Sequence, residues 1–306
     1  MTLPDDRPAA RGTAPGTPAL RVEQTPKKRS SPLGLRVASG LLFAPLLILL
    51  VRSGGWAFLA FVGLEVTLGL IEFYRMMRAK GLAPFAWFGT AGSLGMLWLV
   101  YRPHVSHPDF LATAALLLAL AFGLRRADRP RQVESIAVTL FGMLYVGWLS
   151  AHLVLLRELP WQAGTSYGEG TAYVLLAFTV TWSCDIGAFL IGRAFGRNRP
   201  WTRISPRKSV ERAAGGFAAA ILAALGARLV FAPFLRLWDA VALGGLVGVF
   251  AQVGDFVESL LKRDADHGDS SDLIPGHGGV LDRFDSLYFA APLVYYYLKL
   301  IVFQVP

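Results

Sequence analysis

The stretch AVALGGLVGVFAQVGDFVESLLKR, residues 240–263, is long and apolar enough to cross a bilayer, yet it carries Asp255 and Glu258. A spanning helix needs roughly 20 mostly apolar residues, at about 1.5 Å of rise each. On such a helix Gln252, Asp255, Glu258, Ser259 and Lys262 recur at spacings of three, four and seven. They therefore form one polar stripe down one face. An aspartate near the centre of a membrane helix costs about 2.5 kcal/mol or more on insertion scales. Folding alone gives little reason to place it there, so the stripe points to a site.

The apolar run in this stretch is 240–261, and outward from it lie eight more: 34–51, 55–74, 84–101, 109–124, 135–156, 170–192, 214–234 and 284–304. The chain is 54% hydrophobic and 17% charged, which excludes an ordinary soluble domain. The expectation is an all-α polytopic integral membrane protein with about nine transmembrane helices, residues 33–306 forming a single transmembrane catalytic domain. Residues 1–32, rich in Pro, Thr, Arg and Lys and without apolar periodicity, are expected to form a disordered basic tail. They lack the layout of a cleaved signal peptide. The single cysteine, Cys184, excludes an internal disulfide, a cysteine zinc cluster and a redox pair. Its place in the sixth run predicts a small buried core residue.

The net charge of +9 raises the question of nucleic acid. Its distribution answers it. With the N-terminus cytosolic, 24 of the 30 Lys and Arg fall in the tail and the inner loops, the bias of positive-inside orientation. The C-terminus is then outside. The basic surplus reads as topology, with anionic lipid headgroups as neighbours and no nucleic acid partner.

Two loops are long and polar, 193–212 and 262–283, and both fall on the inner side. Asp185 lies eight residues before Arg193, and Asp255 seven before Lys262. Each is then roughly 10–12 Å below the inner surface. Two acids at matching depth on different helices suggest one polar pocket open to the cytosol. Thr181, Asp185, Ala188 and Gly192 add a stripe of polar and small residues that lets a helix or a ligand approach closely. Singly, each feature has a structural reading. Asp185 and Asp255 would pair within a network, Glu65 would make a lone polar contact, Lys208 and Arg207 would serve topology, and His277 would be a loop histidine. Their co-location on one side favours a site.

Carboxylates are hard oxygen ligands and suit Mg²⁺ rather than zinc. Asp282 and Asp285, at i and i+3, share a face if the last helix begins near them. Glycine-rich turns let backbone N–H groups approach phosphate oxygens. Arg207, Lys208, Lys262, Arg263 and Arg283 would neutralise the remaining charge, the guanidinium groups by two-point contacts. There is no Ser-His-Asp arrangement and no reactive Cys in these loops. Phosphoryl and nucleotidyl transfer proceed by positioning and charge stabilisation alone. An ion-coupled transporter is the competing class. The clustering of acids toward one end of the bilayer, and the lack of a repeated half, weigh against it.

The segment SLLKRDADHGDSSDLIPGHGGVLDRFD, 259–285, closely resembles the signature of the phosphatidate cytidylyltransferase (CDP-diacylglycerol synthase) family. WSCDIGAFLIGRAFGR (182–197), SPRKSVE (205–211), VGDFVESLLKR (253–263) and EFYRM (72–76) resemble it too. The resemblance implies an enzyme joining CTP and phosphatidic acid to give CDP-diacylglycerol and pyrophosphate. A phosphatidate oxygen would attack the α-phosphorus of CTP in line. It implies Mg²⁺ and allows a second metal ion, perhaps a monovalent one. By this resemblance Asp255, Asp282 and Asp285 are the metal candidates with Asp185 in support, and Asp255, Asp282, Asp285 and Lys208 are the catalytic set. Ser205, Arg207, Lys262, Arg263 and Arg283 would hold substrate phosphates, and Gly276, His277, Gly278 and Gly279 would shape the nucleotide-binding turn. The expected location is the bacterial inner (plasma) membrane, with the site facing the cytosol. A homodimer is left open. A CTP-dependent lipid kinase, or a cytidylyltransferase for another lipid phosphate, remains the alternative. Two positions depart from the family pattern: Gly268 stands in place of Lys, and Arg212 in place of Gly.

Overall fold

Glycine, proline and hydroxyl residues divide the apolar sequence into helical rods. The computed structural model describes residues 33–102, 108–125, 130–201, 205–206, 208–265 and 278–305. The rods are α1 (Leu33–Ser53), α2 (Gly55–Ala79), α3 (Ala86–Tyr101), α4 (Pro108–Leu124), α5 (Gln132–Gly142), α6 (Leu149–Ala163), α7 (Gly170–Phe195), α8 (Val210–Val230), α9 (Leu237–Asp264) and α10 (Leu281–Tyr296). Six residues of π-helix, Met143–Trp148, join α5 to α6 in one rod, and another six, Tyr297–Val302, extend α10. Residues 31–306 form one compact unit. The expected tail, 1–32, lies outside the described residues.

The breaks have local causes. Gly54 and Gly55, at φ of +59° and +51°, turn the chain between α1 and α2 in a conformation that side chains disfavour. The Ser209 hydroxyl accepts the Arg212 backbone N–H at 3.2 Å and caps α8. The expected seventh run therefore begins earlier than its apolar residues suggest. The fifth run is also longer than expected, because segments that carry charged and amide residues at both ends, 132–134 and 157–163, continue the helix.

Each expected run corresponds to a helical rod among the described residues, counting α5 and α6 as one. Five are long and apolar enough to cross a membrane: Gly55–Ala79, Gln132–Ala163, Tyr167–Phe195, Val210–Val230 and Leu237–Asp264. The protein is a polytopic membrane protein. The shorter α3, α4 and α10 have 16 or 17 residues each.

Two sets of helix ends are tied together. At one, Lys80 pairs with Asp264, and the Arg131 guanidinium donates to the Lys80 carbonyl at 3.0 Å. At the other, the buried Arg157 donates to the carbonyls of Val51 and Tyr167 at 2.8 and 2.9 Å and lies over the Tyr167 ring. The ends of α2 and α9 and the start of α5 thus share one side, as alternating spans require.

Helices α7 to α10 pack as a group through small residues. Without a hydrophobic drive between helices in lipid, close backbone approach supplies the packing. A Cβ on Gly244 of α9 would lie 2.7 Å from the Ile221 Cα of α8. A Cβ on Gly254 of α9 would lie 2.5 Å from the Asp285 carbonyl oxygen and 3.2 Å from the Ser286 Cα of α10. Overpacking of this kind costs about 1–3 kcal/mol. Gly254→Ala is expected to lower the thermal unfolding midpoint in detergent by several degrees. Gly226→Ala, where a Cβ would meet nothing within 4 Å, is expected to leave it unchanged or slightly higher.

Candidate active site

The stripe predicted on the eighth run lies on α9, which runs through residue 264 and carries Asp255 and Glu258 one turn apart. Across from them, the close approach at Gly254 brings in Asp285 of α10. Carboxylate oxygens of Asp255, Glu258 and Asp285 all lie within 4.8 Å of one another. Glu258 is 2% exposed and Asp285 is 8% exposed. Three carboxylates this close repel strongly in a medium of low dielectric unless positive charge answers them.

Part of that charge comes from the protein. Lys208, in the turn before α8, approaches Asp255 at 3.0 Å, hydrogen-bonds Ser259 at 3.3 Å and lies over the Phe256 ring. Burial draws the Lys208 ammonium below the usual lysine range, and Asp255 opposes that shift. Arg212 reaches the other Asp255 oxygen at 3.8 Å. Lys262 bridges Glu258 and Asp282, both at 2.9 Å. Among the described residues neither Asp285 nor Asp185 has an ion-pair partner, and Glu258 Oε1, fully buried, has no hydrogen-bond partner. Asp285 accepts the Ser286 backbone N–H at 2.6 Å, and the Ser286 hydroxyl donates to Asp185 at 3.5 Å. The donor set is hard oxygen, partly unpaired and partly buried, which fits one small divalent cation. Asp255, Glu258 and Asp285 would hold it.

Asp185, Lys208, Arg212, Gln252 and Asp255 line a narrow cleft with Trp201 and Phe256 as its aromatic wall. The two rings meet edge to face, 5.2 Å between centroids. The Ser205 carbonyl accepts the Lys208 backbone N–H at 3.2 Å, which closes the turn presenting that lysine.

The predicted residues therefore separate. Asp255, Asp285, Asp185 and Lys208 converge. Asp282 is engaged by Lys262 and by the Gly279 backbone N–H, at 2.9 and 3.0 Å. Gly278 takes φ of +80° in the turn that supplies this N–H. Arg263 and Arg283 are exposed. Arg207, Gly276, His277 and Gly268 lie outside the described residues. Glu258 joins the acid cluster although the metal set read from sequence omits it. Its signal was present, one turn from Asp255 on the same stripe. Arg212, a departure from the family pattern, fits because Gly192 makes room: a Cβ there would lie 2.8 Å from the Arg212 Cβ. Glu72, from the EFYRM segment, is 1% exposed and accepts the backbone N–H groups of Val280 and Leu281.

A hard-cation site flanked by basic side chains and set within a bundle of apolar helices is the chemistry of a membrane enzyme acting on phosphates. The chain belongs to the cytidylyltransferase family, whose profile matches residues 34–301. A protein named phosphatidate cytidylyltransferase from Synechocystis sp. is 36% identical, over 87% of this chain and 97% of its own length. One of the same name from Bacillus subtilis is 31% identical over 87% and 97%. Another, from Staphylococcus aureus, is 28% identical over 83% and 93%.

Removing one partner of a buried ion pair leaves a charge without compensation, at a cost on the order of 3 kcal/mol. Lys262→Met, which removes the cation from Glu258 and from Asp282, is expected to lower the unfolding midpoint, chiefly through the buried Glu258. Adding Glu258→Gln to Lys262→Met is expected to recover part of the loss.

Proposed function

We propose that this chain is a phosphatidate cytidylyltransferase, transferring CMP from CTP to phosphatidic acid to give CDP-diacylglycerol and pyrophosphate. The observation that carries the reading is the convergence of Asp255, Glu258 and Asp285 beside Lys208 and Arg212. The relatives named phosphatidate cytidylyltransferase, similar along most of the chain, support it.

The nucleophile needs no base from the protein. A phosphate monoester has a second pKa near 6, so its oxygen is already ionised at neutral pH. That oxygen forms a bond to the α-phosphorus of CTP while the bond from the α-phosphorus to the β-phosphate oxygen breaks, and pyrophosphate leaves with the electron pair. Such transfers depend on alignment and on stabilising the charge that spreads over the equatorial oxygens. Asp255, Glu258 and Asp285 would hold a magnesium ion, which would supply part of that stabilisation. Lys208 and Arg212 bind phosphate oxygens from the cleft side and orient the nucleotide. Lys262 keeps Glu258 and Asp282 in place. Trp201 and Phe256 offer an aromatic face beside the cleft.

The orientation we propose is N-terminus in the cytosol, with the tied ends of α2 and α9 on the same side. CTP then enters from water and the lipid laterally, and their phosphates meet below the surface. With Cys184 buried, introduced cysteines report topology cleanly. Ser53→Cys is expected to react with an impermeant maleimide on intact cells, and Ala79→Cys only after permeabilisation; the reverse pattern overturns the orientation.

Purified protein with phosphatidic acid, labelled CTP and Mg²⁺ is expected to form labelled CDP-diacylglycerol. Asp285→Asn is expected to reduce the rate at least 100-fold. A phosphorylated lipid alcohol with free CDP as products, or an Asp285→Asn variant as fast as wild type, would refute the assignment.

A further inference from the structure

The helix that carries Asp285 is held on its far side by two carboxylates of α2. Glu72 Oε1 and Oε2 accept the backbone N–H groups of Val280 and Leu281 at 3.1 and 2.8 Å. These are orphan donors at the N-terminus of α10, where a negative charge is also favoured by the helix dipole. Seven residues earlier on α2, Glu65 accepts the Tyr288 hydroxyl at 2.8 Å. Both carboxylates are buried, at 1% and 3% exposure. Seven residues make about two turns, or roughly 10 Å, on either helix. The spacing on α2 from 65 to 72 thus matches the spacing on α10 from 288 back to 280 and 281, as two antiparallel rods require. Gly69, between the rungs, lets them close: a Cβ there would lie 3.1 Å from the Tyr288 hydroxyl.

Asp285 sits between the two rungs. On its other side the Gly254 contact presses α10 against α9. We propose that Glu72 is a positioning residue, the upper rung of a two-carboxylate clamp that fixes the axial register and rotation of α10 and so delivers Asp285 to Asp255 and Glu258. A carboxylate is suited to this because it accepts two adjacent N–H groups at once. An amide in its place would turn an NH₂ group toward one of those donors. The proposal rests on the cation site described above.

Two substitutions reach the same link from opposite ends. Glu72→Gln keeps the side-chain shape and loses one acceptor. Val280→Pro removes one donor, and Val280 already has φ of −65°, the value proline imposes. The readout is Mn²⁺ binding to the purified full chain by electron paramagnetic resonance, alongside the Mg²⁺ concentration for half-maximal turnover and the KM for CTP. The wild type is expected to bind one Mn²⁺ that Asp285→Asn abolishes. Each clamp variant is expected to weaken Mn²⁺ binding about 10-fold and to raise the Mg²⁺ requirement by a similar factor, with KM for CTP changed less than threefold at saturating Mg²⁺. The double variant is expected to be no worse than the worse single one, since both break one link. A wild type that binds no Mn²⁺ sinks the cation site itself. A wild type that binds it, with both variants equal to wild type, sinks the clamp alone. Should Glu72→Gln not fold, Val280→Pro with wild-type Mn²⁺ affinity still overturns it.

Discussion

Acids sunk among apolar helices have to be answered, and that requirement organises this protein. Water would stabilise their charge outside; within a bundle only basic side chains, backbone N–H groups, hydroxyls or a bound cation can do so. Lys262 answers Asp282 and one oxygen of Glu258, Lys208 and Arg212 answer Asp255, and the start of α10 answers Glu72. Of the carboxylates that no basic side chain pairs among the described residues, Asp285 lies beside Asp255 together with the second oxygen of Glu258. A site for a divalent ion follows from the same electrostatics that would otherwise oppose folding.

Packing and chemistry are joined in α7 to α10. Small residues bring the backbones close enough that side chains from different helices meet at their short ends. The acid cluster depends on this, because aspartate reaches only two bonds beyond its Cβ. Gly254 serves the contact between α9 and α10, and Gly192 leaves space for Arg212. The Arg212 share of the positive charge next to Asp255 therefore depends on a residue two helices away from it.

Much of this was legible in the residues. Apolar runs located every rod, since the length of a span is set by the bilayer and the run must match it. The polar stripe on α9 followed from helical arithmetic alone. What periodicity does not carry is the rotation of one helix against another. Asp282 and Asp285 share a face of α10 in any register, but which of them meets Asp255 depends on where that helix is pinned. Lys262 draws Asp282 toward the end of α9, and Asp285 is left to join Glu258. The π-helical segment at Met143–Trp148 likewise has no period to reveal it, and the space that Gly192 leaves for Arg212 is a contact between helices that the residue pattern does not carry.

The glycine at 254 has a consequence for how such a chain changes over generations. A position with no space for one methyl group is closed to gradual drift, because the smallest possible enlargement already collides with main chain. Its neighbours in lipid can exchange one apolar side chain for another almost freely. Variation should therefore accumulate around the rim of the bundle, and the line where α9 touches α10 should stand still, a fixed axis in an otherwise fluid sequence.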